Sequence, residues 1–600
     1  MKHFTRREFI KITSLGLGTA ILSTGLTGCL SDDDEGIRVS FDHGVASGDP
    51  QHDKVIIWTR ITAENNVPVN VKWEVFEAAT NTLVVSGSTV VDSGTDHTLK
   101  VDIAGLTSGT RYRYRFKSNG VTSVTGNTAT LPDGQLDLAK FAVVSCSNYT
   151  AGYFNVYREI ANRTDINAVL HLGDYIYEYA MGGYATERVE ELGRQLPDDN
   201  NTELFELEDY RKRYALYRSD GDLQSCHQNH PFIAVWDDHE VANDAYVDGA
   251  ENHNDGEGDF STRKMKALQA YFEWTPIRDR FAAGDESINR SFQYGDLLDL
   301  HMLDTRIQAR DQAIDITDYI DSQTGQLDAQ AFQLALTDSS RNLLGGEQLQ
   351  WLTGQFAGSA AIWQVLGQQV VMGRMLLPAA IATQALSIAD FITIASLAPI
   401  AAIYQRQQAG DPTLTAEELA LLTPENLALL AANQALLTEQ NIALVQLPSI
   451  PYNLDAWDGY AYERELLLGL ALNFDINLVV LAGDTHNAWA NNLKTINDEV
   501  VGVEFATASV SSPGLEEYLA IPNQATAAEY EAGITQLIGD LQYCNVFDRG
   551  YLTVEFTRQE ATAEWIFIDT VFSNDYQVMS QRSHTLAVLP GSNNRQLVSA

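Results

Sequence analysis

Basic residues are scarce in this chain of 600 residues, which has 39 Lys and Arg against 80 Asp and Glu and a formal net charge of −41. So acidic a chain repels a phosphate backbone, and the composition argues against nucleic acid as a stable partner. A cleft for an anionic substrate would therefore need positive charge concentrated locally, and metal ions are the obvious source. The length is too great for one hydrophobic core, so two or more domains are expected.

Long apolar runs are scarce near the N-terminus. Residues 12–26 are weakly apolar and rich in Gly and Thr. The alternative interpretation of this segment is a membrane anchor helix, but it is shorter than the roughly 20 residues that a membrane-spanning helix needs. The segment follows TRREFIK (5–11), which matches a twin-arginine export signal, and ends in LTGC (26–29), which resembles the lipobox of bacterial lipoproteins. We predict a signal over 1–29 that the twin-arginine machinery recognises, and a membrane anchor through lipid on Cys29.

This signal predicts where the protein resides. The acidic residues 30–40 would form a solvated tether between the lipid and the folded chain. The protein is then expected outside the cytoplasm, in the periplasm or at the cell surface.

Cysteine is also rare, with four residues in the chain. If Cys29 carries lipid, Cys146, Cys226 and Cys544 remain, and an odd number of thiols outside the cytoplasm leaves one to explain. Cys226 and Cys544 could form a disulfide, but the sequence does not show whether their Cα atoms lie within bonding distance. The pairing stays open.

Residues 41–132 have the pattern of an all-β domain. Polar and apolar residues alternate in VKWEVFE (71–77) and in YRYRF (112–116), with Gly and Asn turns between the runs. The segment LTSGTRY (106–112) is similar to the tyrosine corner of fibronectin-type sandwiches. We therefore expect a small fibronectin- or immunoglobulin-like β-sandwich, which Pro132-Asp133-Gly134 ends.

The pattern changes to α/β over residues 138–575, which we expect to be the catalytic domain, followed by a tail at 576–600. Four apolar runs end in polar residues: FAVV (141–144), AVLHL (168–172), FIAVW (232–236) and LVVLA (478–482). Because open α/β sheets assemble their sites at the C-terminal ends of strands, the residues that follow these runs should converge.

Residues 377–447 differ from the rest of the domain in composition, because they are rich in Ala, Leu and Gln. Thr415 and Glu418 form a capping box, and Thr423 before Pro424 marks a second helix start. This segment is predicted to be an α-helical insertion that acts as a lid or a docking flap. A membrane span over 379–404 is disfavoured because Gln384, Asp390 and Pro399 interrupt the apolar run.

The centre of the chain is the stretch HLGDYIYEY (171–179), in which an apolar run ends at Gly173 and Asp174, and Tyr177 follows three residues later. Trivalent iron prefers hard oxygen ligands and can deprotonate a phenol far below its ordinary pKa. Candidate metal ligands from all the strand ends are Cys146, Asn148, Asp174, Tyr177, Asp238, Asp484 and His486.

These candidate ligands predict the chemistry of the site. A thiolate, a phenolate, carboxylates and an imidazole together suit a mixed site that holds iron beside an oxygen-loving ion such as calcium, with Asp174 as the natural bridge. Such a pair of cations activates water and neutralises phosphoryl oxygens, so we expect hydrolysis of a phosphate ester.

The order of these motifs carries a family resemblance. Gly-Asp-x-x-Tyr, then Asp-His-Glu, then Gly-x-x-His is similar to the calcineurin-like metallophosphoesterases, and GDYIY (173–177) resembles the iron motif of purple acid phosphatases. The closest likeness is to PhoD-type alkaline phosphatases, carried by VASGDP (45–50), IWTR (57–60), WDDHE (236–240) with Asn243, LDTR (303–306), WDGY (457–460) and GDTHN (483–487). The resemblance implies an αββα catalytic domain with Fe(III) and calcium.

The resemblance also implies roles for individual residues. Cys146 would take the place of the first-motif aspartate, Asp174 would bridge the two metals, Tyr177 would bind iron, and Asp238, Asp484 and His486 would complete the set. The catalytic candidates are His239 as general acid or transition-state donor, Arg306 as a bidentate phosphate clamp, and Asn243 as a ligand of a phosphate oxygen or calcium.

Some alternatives stay open. Cys146 could be a buried small apolar residue, and Arg306 could form a structural ion pair with Asp304. The strand at 363–372 offers Gln368 and Gln369 where a metallophosphoesterase has a histidine, which leaves the calcium ligands undecided.

The function expected from the sequence is that of an exported, monomeric alkaline phosphatase that hydrolyses phosphate monoesters, diesters or both. One alternative is a phosphodiesterase, similar to a phospholipase D, that acts on phospholipid or teichoic-acid-like substrates. Another is a surface-displayed binding lipoprotein with a vestigial metal site. The intact set of candidate ligands argues against the latter, since a relic site would have lost some of them.

Overall fold

The computed structural model describes residues 37–278, 286–321, 327–383 and 385–600. The predicted signal at 1–29, with Cys29, and most of the predicted tether lie outside these residues. Export and lipid attachment therefore stay predictions.

The N-terminal region is all-β, as its alternating pattern predicts. Its strands are β1 (Val39–Ser40), β2 (Val45–Gly48), β3 (Lys54–Arg60), β4 (Thr62–Ala63), β5 (Val69–Glu77), β6 (Leu83–Val91), β7 (Thr98–Ala104), β8 (Arg111–Ser118), β9 (Val121–Thr122) and β10 (Gly126–Ala129). One face is the sheet β10-β8-β5-β6, and β2, β3 and β7 cover it across a shared apolar core. The Tyr112 hydroxyl accepts a hydrogen bond from the Thr107 N–H at 2.8 Å, as in a tyrosine corner.

The remaining strands build two larger sheets. They are β11 (Leu138–Val144), β12 (Ala168–His171), β13 (Phe232–Ala234), β14 (Arg290–Tyr294), β15 (Leu298–Met302), β16 (Trp363–Gly367), β17 (Leu376–Pro378), β18 (Ser449–Pro451), β19 (Asn477–Ala482), β20 (Ala488–Lys494), β21 (Val500–Ala506), β22 (Leu541–Asn545), β23 (Arg549–Thr557), β24 (Ala561–Ile568), β25 (His584–Val588) and β26 (Val598–Ser599). The first sheet has the order β26-β25-β24-β23-β11-β12-β13-β2-β3-β7, and the second β14-β15-β16-β19-β21-β20-β22.

The two sheets share one apolar core, in which side chains of β11, β12, β23 and β24 meet those of β16, β19 and β21. Two buried indoles connect the sheets. Trp363 of β16 donates to the Thr557 carbonyl of β23 at 2.8 Å, and Trp565 of β24 donates to the Ala506 carbonyl of β21 at 2.9 Å. Helices pack on the sheets, which gives the predicted αββα architecture.

The helices before the insertion are α1 (Asn155–Ala161), α2 (Val189–Leu192), α3 (Leu207–Arg218), α4 (Gly221–Asn229), α5 (Phe260–Trp274), α6 (Ala329–Leu336) and α7 (Gly345–Gly358). Side chains of α1, α3, α4 and α5 join the core of the first sheet, and α7 packs with apolar residues of β16 and β19 in the second.

The helical insertion lies between β17 and β18, which pair with each other. It contains α8 (Ala379–Ala382), α9 (Ile388–Gln408), α10 (Ala416–Ala420), α11 (Pro424–Ala432) and α12 (Glu439–Val445). Both predicted start signals are confirmed, because Thr415 and Glu418 form a capping box and Thr423 caps α11 with Pro424 in its first turn. After it come α13 (Ala461–Asn473), α14 (Leu515–Tyr518) and α15 (Gln524–Leu537).

Helix α9 is the one helix of the described ranges that is long and apolar enough to cross a membrane, with a mean hydropathy of 1.5 over its most apolar window. Helix α9 meets this criterion by length and composition only, and a single helix of this kind is weak evidence for a membrane span.

The N-terminal strands extend the first catalytic sheet, because β13 pairs in parallel with β2 through Phe232 and Gly48. A Cβ at Gly48 would lie 2.4 Å from the Pro276 carbonyl oxygen and 2.5 Å from that of Phe232, so glycine is needed at this junction. The C-terminal segment, expected to be a tail, forms β25 and β26 on the opposite edge. The domain boundaries 41–132, 138–575 and 576–600 stay predictions.

The cysteines in the described residues form no disulfide. Cys146, Cys226 and Cys544 are all free and buried. The pairing of Cys226 with Cys544, left open by the sequence, is not seen.

Candidate metal centre

The polar residues that follow β11, β12, β13 and β19 converge. Three groups of ligand atoms lie within 4.8 Å of one another: Cys146, Asp174 and His486; Asp174, Asp238 and His239; and Asp237, Asp238 and Asp484. Backbone hydrogen bonds connect the loops, and one of them is donated by the Cys146 N–H to the Gly173 carbonyl at 3.2 Å. Strands from both sheets therefore deliver side chains to one edge of the sandwich, as expected for an α/β site.

The backbone is strained where these residues enter the site. Cys146, Asp174, Asp484 and His486 all have positive φ angles, of 60°, 56°, 63° and 62°. Non-glycine residues adopt this region rarely and at a cost of about 1–3 kcal/mol each, and such residues cluster at functional sites. The surrounding fold holds four of them at one place.

Asp174 has the properties of a cation ligand. One of its oxygens, Oδ1, is buried and has no hydrogen-bond partner, while Oδ2 accepts from the Tyr177 hydroxyl at 2.9 Å. A buried carboxylate oxygen without a partner is costly unless something positive binds it. Asp174 also belongs to two of the three ligand groups, which is the position expected of a bridging residue.

Cys146 is fully buried, with its Sγ 3.1 Å from the Ser145 hydroxyl. Burial and then the negative charge of Asp174 raise the pKa of the Cys146 thiol well above its ordinary value. A thiolate at this position therefore requires a cation beside it.

Tyr177 and His486 lie on the same side as Cys146. The Tyr177 hydroxyl accepts from the Ser512 hydroxyl at 2.7 Å and lies 3.2 Å from His486 Nε2. His486 Nδ1 is 2.5 Å from the Pro513 carbonyl, which can only accept a hydrogen bond, so Nδ1 carries the proton. This contact leaves the Nε2 lone pair directed to the ligand group, 3.9 Å from Asp174 Oδ2.

Arg306 is fully buried and joins carboxylates from separate segments. Its guanidinium lies 2.5 Å from oxygens of Asp237, Asp455 and Asp484, and 3.6 Å from Asp238. The ion pair with Asp304 considered from the sequence is not formed by the guanidinium, since Asp304 instead accepts from the backbone N–H of Arg306 at 2.8 Å. Arg306 does not line the cavity described below, so its role as a phosphate clamp stays a prediction.

Carboxylates outnumber positive groups around Arg306. Burial raises the pKa of Asp484 to about 7, with Arg306 acting in the opposite sense, and burial followed by the charge of Asp455 raises the pKa of Asp244 to about 8. This excess of negative charge in a buried site is what cations would neutralise.

His239 is held by a buried carboxylate, with Nδ1 2.7 Å from Glu178 Oε2. Burial alone would lower the pKa of His239, but the charges of Asp238, Asp174 and Glu178 outweigh burial and hold it well above its ordinary value. Glu178 also accepts from the Asn243 N–H at 2.8 Å and the Asn252 amide at 2.7 Å. The bond to Glu178 therefore fixes the orientation of the His239 ring at the centre.

A cavity of about 200 Å³ opens over this centre. Its lining residues are Asp174, Tyr179, Tyr184, Asp238, His239, Asn243, Asp244, Tyr452, Asn453, Asp484, Thr485, His486 and Tyr518. Most of the candidates from the sequence are among them, and the buried Cys146, Asn148, Tyr177 and Arg306 are not. Asn243 faces the cavity but its amide donates to Glu251 at 3.1 Å.

The remaining candidates on the calcium side are engaged elsewhere. Asn148 Oδ1 accepts from the Thr150 N–H and hydroxyl at 3.0 and 2.8 Å, and its Nδ2 has no partner. Gln369 bonds to Thr305, and Gln368 accepts from the Trp457 indole at 2.8 Å. The role of Asn148 as a ligand stays a prediction, and both glutamines have structural partners.

Sequence reasoning missed several residues of the centre, namely Glu178, Tyr184, Asp237, Asp244 and Asp455. Tyr184 donates to the Pro513 carbonyl at 2.8 Å and lies 3.1 Å from His486 Nδ1. Asp237 precedes the candidate Asp238 and Asp244 follows the candidate Asn243, so their positions in the sequence could have identified them. Asp455 and Tyr184 lie in loops that carry no pattern of their own.

Models of known protein families match both the N-terminal β region and the α/β region of the chain. The family model for the PhoD-like phosphatase matches residues 141–565, and the model for the PhoD-like phosphatase N-terminal domain matches residues 28–132. The chain belongs to the PhoD-like phosphatase family. Membership of this family makes it a phosphoric ester hydrolase.

Two relatives cover nearly the whole PhoD-like chain. Alkaline phosphatase D from Bacillus subtilis (strain 168) is 29% identical over 585 residues, which are 94% of this chain and 84% of the relative. A solved structure described as the structure of PhoD covers 93% of this chain and 92% of its own, with 26% identity and a TM-score of 0.69. The similarity thus includes the β region and the α/β region together.

Proposed function

We propose that this PhoD-like phosphatase is an alkaline phosphatase that hydrolyses phosphate monoesters, diesters or both at a mixed iron and calcium site. The observation that carries the proposal is the shared Asp174, which belongs both to the group with Cys146 and His486 and to the group with Asp238 and His239. One carboxylate common to two ligand groups is the arrangement that a two-metal hydrolase requires.

The side chains fit the two cations by their chemistry. Cys146, Tyr177 and His486 offer a thiolate, a phenolate and an imidazole on one side of Asp174, and this set suits iron. Asp238 and Asp484 offer hard carboxylate oxygens on the other side, which suit calcium. When bound, the cations supply a hydroxide near neutral pH and neutralise the phosphoryl oxygens.

The protein's own groups complete the reaction. His239, which Glu178 orients through its Nδ1, borders the cavity, and this position supports its proposed role as the acid that protonates the departing alkoxide. Asn243 borders the same cavity, which supports its proposed role as a ligand of a phosphate oxygen through the amide hydrogen that is not donated to Glu251.

Metal removal and one matched pair of variants test the proposal. A chelator should abolish hydrolysis of both a phosphate monoester and a diester, and readdition of iron and calcium should restore it. Cys146→Ala should lose iron, the visible absorption of a ligand-to-iron transition, and at least 100-fold in kcat/KM, because misplacing a reacting centre costs that much. Cys226→Ala, another fully buried free thiol, should keep all three.

Two outcomes would contradict this assignment. Chelator-resistant turnover would remove the metals from the mechanism. Iron and turnover that survive in Cys146→Ala would remove Cys146 from the ligand set.

We further propose that the protein is exported by the twin-arginine route, anchored by lipid on Cys29 and monomeric. The sequence of residues 5–29 supports the export route and the lipid anchor. Replacing Arg6 and Arg7 by Lys should retain the protein in the cytoplasm, and Cys29→Ala should release it from the membrane fraction. Unchanged fractionation would contradict the anchor, and light scattering of the lipid-free protein tests the monomer.

A further inference from the structure

A second, larger cavity lies beside the metal centre. It has a volume of about 640 Å³, and its walls are mostly apolar side chains. The helical insertion contributes Ile381, Ala382 and Ile388, and the segments around α14 and α15 contribute Leu515 and Ile534. Nothing in the hydrolytic chemistry at the metal centre requires so large an apolar space.

The two cavities share a wall. Tyr452 and Tyr518 line both the apolar cavity and the cavity over the metal centre. They are 38% and 68% exposed, so their side chains are free to contact a ligand. A tyrosine combines an apolar ring with a polar hydroxyl and suits a boundary between a charged group and a hydrocarbon.

The far wall of the apolar cavity is held by close packing. A Cβ at Gly533 of α15 would lie 2.5 Å from Ile388 Cγ2, so the start of α9 rests directly on α15. The insertion is thereby fixed against the catalytic domain at the point where it borders the cavity.

We infer that the apolar cavity binds the hydrocarbon part of the alcohol that is esterified to the phosphate. This inference rests on the proposed function and gives its substrate class, namely phosphate esters of aliphatic alcohols. The phosphate occupies the smaller cavity over the metal centre, and the chain passes Tyr452 and Tyr518 into the larger one. The helical insertion then acts as part of the substrate site.

A series of linear alkyl phosphates tests the inference. Methyl, butyl, hexyl and octyl phosphate have leaving alcohols of nearly equal acidity, so only the chain length changes. With the metal-loaded full-length enzyme, below the concentration at which micelles form, release of inorganic phosphate gives kcat/KM. Each buried methylene group can raise kcat/KM by at most about fourfold, and we expect at least a tenfold rise from methyl to hexyl phosphate.

The results separate the inference from the proposed function. If all the esters are hydrolysed with the same kcat/KM, the inference is wrong and the phosphatase function stands. If none is hydrolysed while the metal-loaded enzyme still hydrolyses a phosphate diester, the inference is wrong and the phosphatase function stands; if the diester is not hydrolysed either, both are wrong.

A filled cavity provides the matched comparison. Ala382→Phe should remove the preference for hexyl over methyl phosphate and leave methyl phosphate hydrolysis unchanged, which also reports that the variant is folded. Ala402→Phe, at an exposed position of α9, should keep the preference. Ile381→Gln, which makes the wall polar without filling it, should reduce the preference in the same way. A preference that persists in both cavity variants would overturn the inference.

Discussion

Replacing Gly173 by alanine should test how the metal centre depends on the backbone. Gly173 lies two residues after the end of β12 and immediately before Asp174, with a φ of 109°. A Cβ at this position would lie 2.3 Å from Asp237 Cβ and 2.5 Å from Asp237 N, so the loop after β13 would have to move. Gly182 has a similar φ of 88° but open space around it, which makes Gly182→Ala the matched control.

Both substitutions incur the free-energy cost of an alanine at positive φ, and only Gly173→Ala also incurs a packing cost. An alanine held at positive φ costs about 1–3 kcal/mol in either position. Gly173→Ala adds an overpacking cost of about 1–3 kcal/mol, so it should lose more unfolding free energy than Gly182→Ala by that amount. Because Asp237 adjoins Asp238, the displaced loop should also lower kcat/KM about 100-fold, whereas Gly182→Ala keeps most of its activity.

The assay is urea unfolding followed by fluorescence, with ester hydrolysis measured on the same preparations. Equal unfolding free energies and equal kcat/KM for the two variants would refute the reasoning. Such a result would mean that the loop after β13 yields freely and that the close approach does not position the aspartates.

Three further predictions concern single side chains. Burial, then the charge of Arg60, lowers the pKa of His43 to about 3, so the unfolded chain binds a proton below about pH 6.5 that the folded chain does not, and stability falls as the pH drops. His43→Phe should remove about 2 kcal/mol of the loss in unfolding free energy between pH 7.5 and 5.0, and an unchanged loss would contradict the burial argument. Tyr112→Phe removes the acceptor of the Thr107 N–H and should cost about 1–3 kcal/mol of unfolding free energy, whereas a neutral effect would mean that water replaces the hydroxyl. Glu178→Gln should lower kcat/KM about 10–100-fold with iron content unchanged, and full turnover would remove Glu178 as a positioning residue.

The parts of the fold that the sequence predicts are those with local causes. Alternation in β5 and β8 reflects one face on a core and one in solvent, and a capping box such as that of Thr415 and Glu418 is complete within four residues. The strand ends before Cys146, Asp174, Asp238 and Asp484 could be found because a buried apolar run that stops at a polar residue is itself a local signal.

Long-range pairing carries no such signal. The parallel contact of β13 with β2 rests on Gly48, whose small size matters only once Pro276 and Phe232 are in place. The C-terminal strand β25 is similarly set by its partner β24. Whether a short apolar segment pairs is decided by neighbours that are distant in sequence, and propensity alone does not identify them.

The electrostatics of the site likewise depend on contacts between segments that are distant in sequence. The candidate metal ligands could be identified from the sequence by their residue types. The ion-pair partners of Arg306 could not be identified, because its carboxylate partners come from three separate segments. One of them, Asp455, was not among the candidates. The structure sets Arg306, Arg310 and His239 against a larger group of aspartates, Asp174, Asp237, Asp238, Asp244, Asp455 and Asp484. A phosphate ester is itself an anion and would be repelled from such a cavity in the absence of additional positive charge. The whole chain is short of basic residues, and this edge of the sandwich has an excess of carboxylates. Cations bound there would supply the positive charge that an anionic substrate needs at the site.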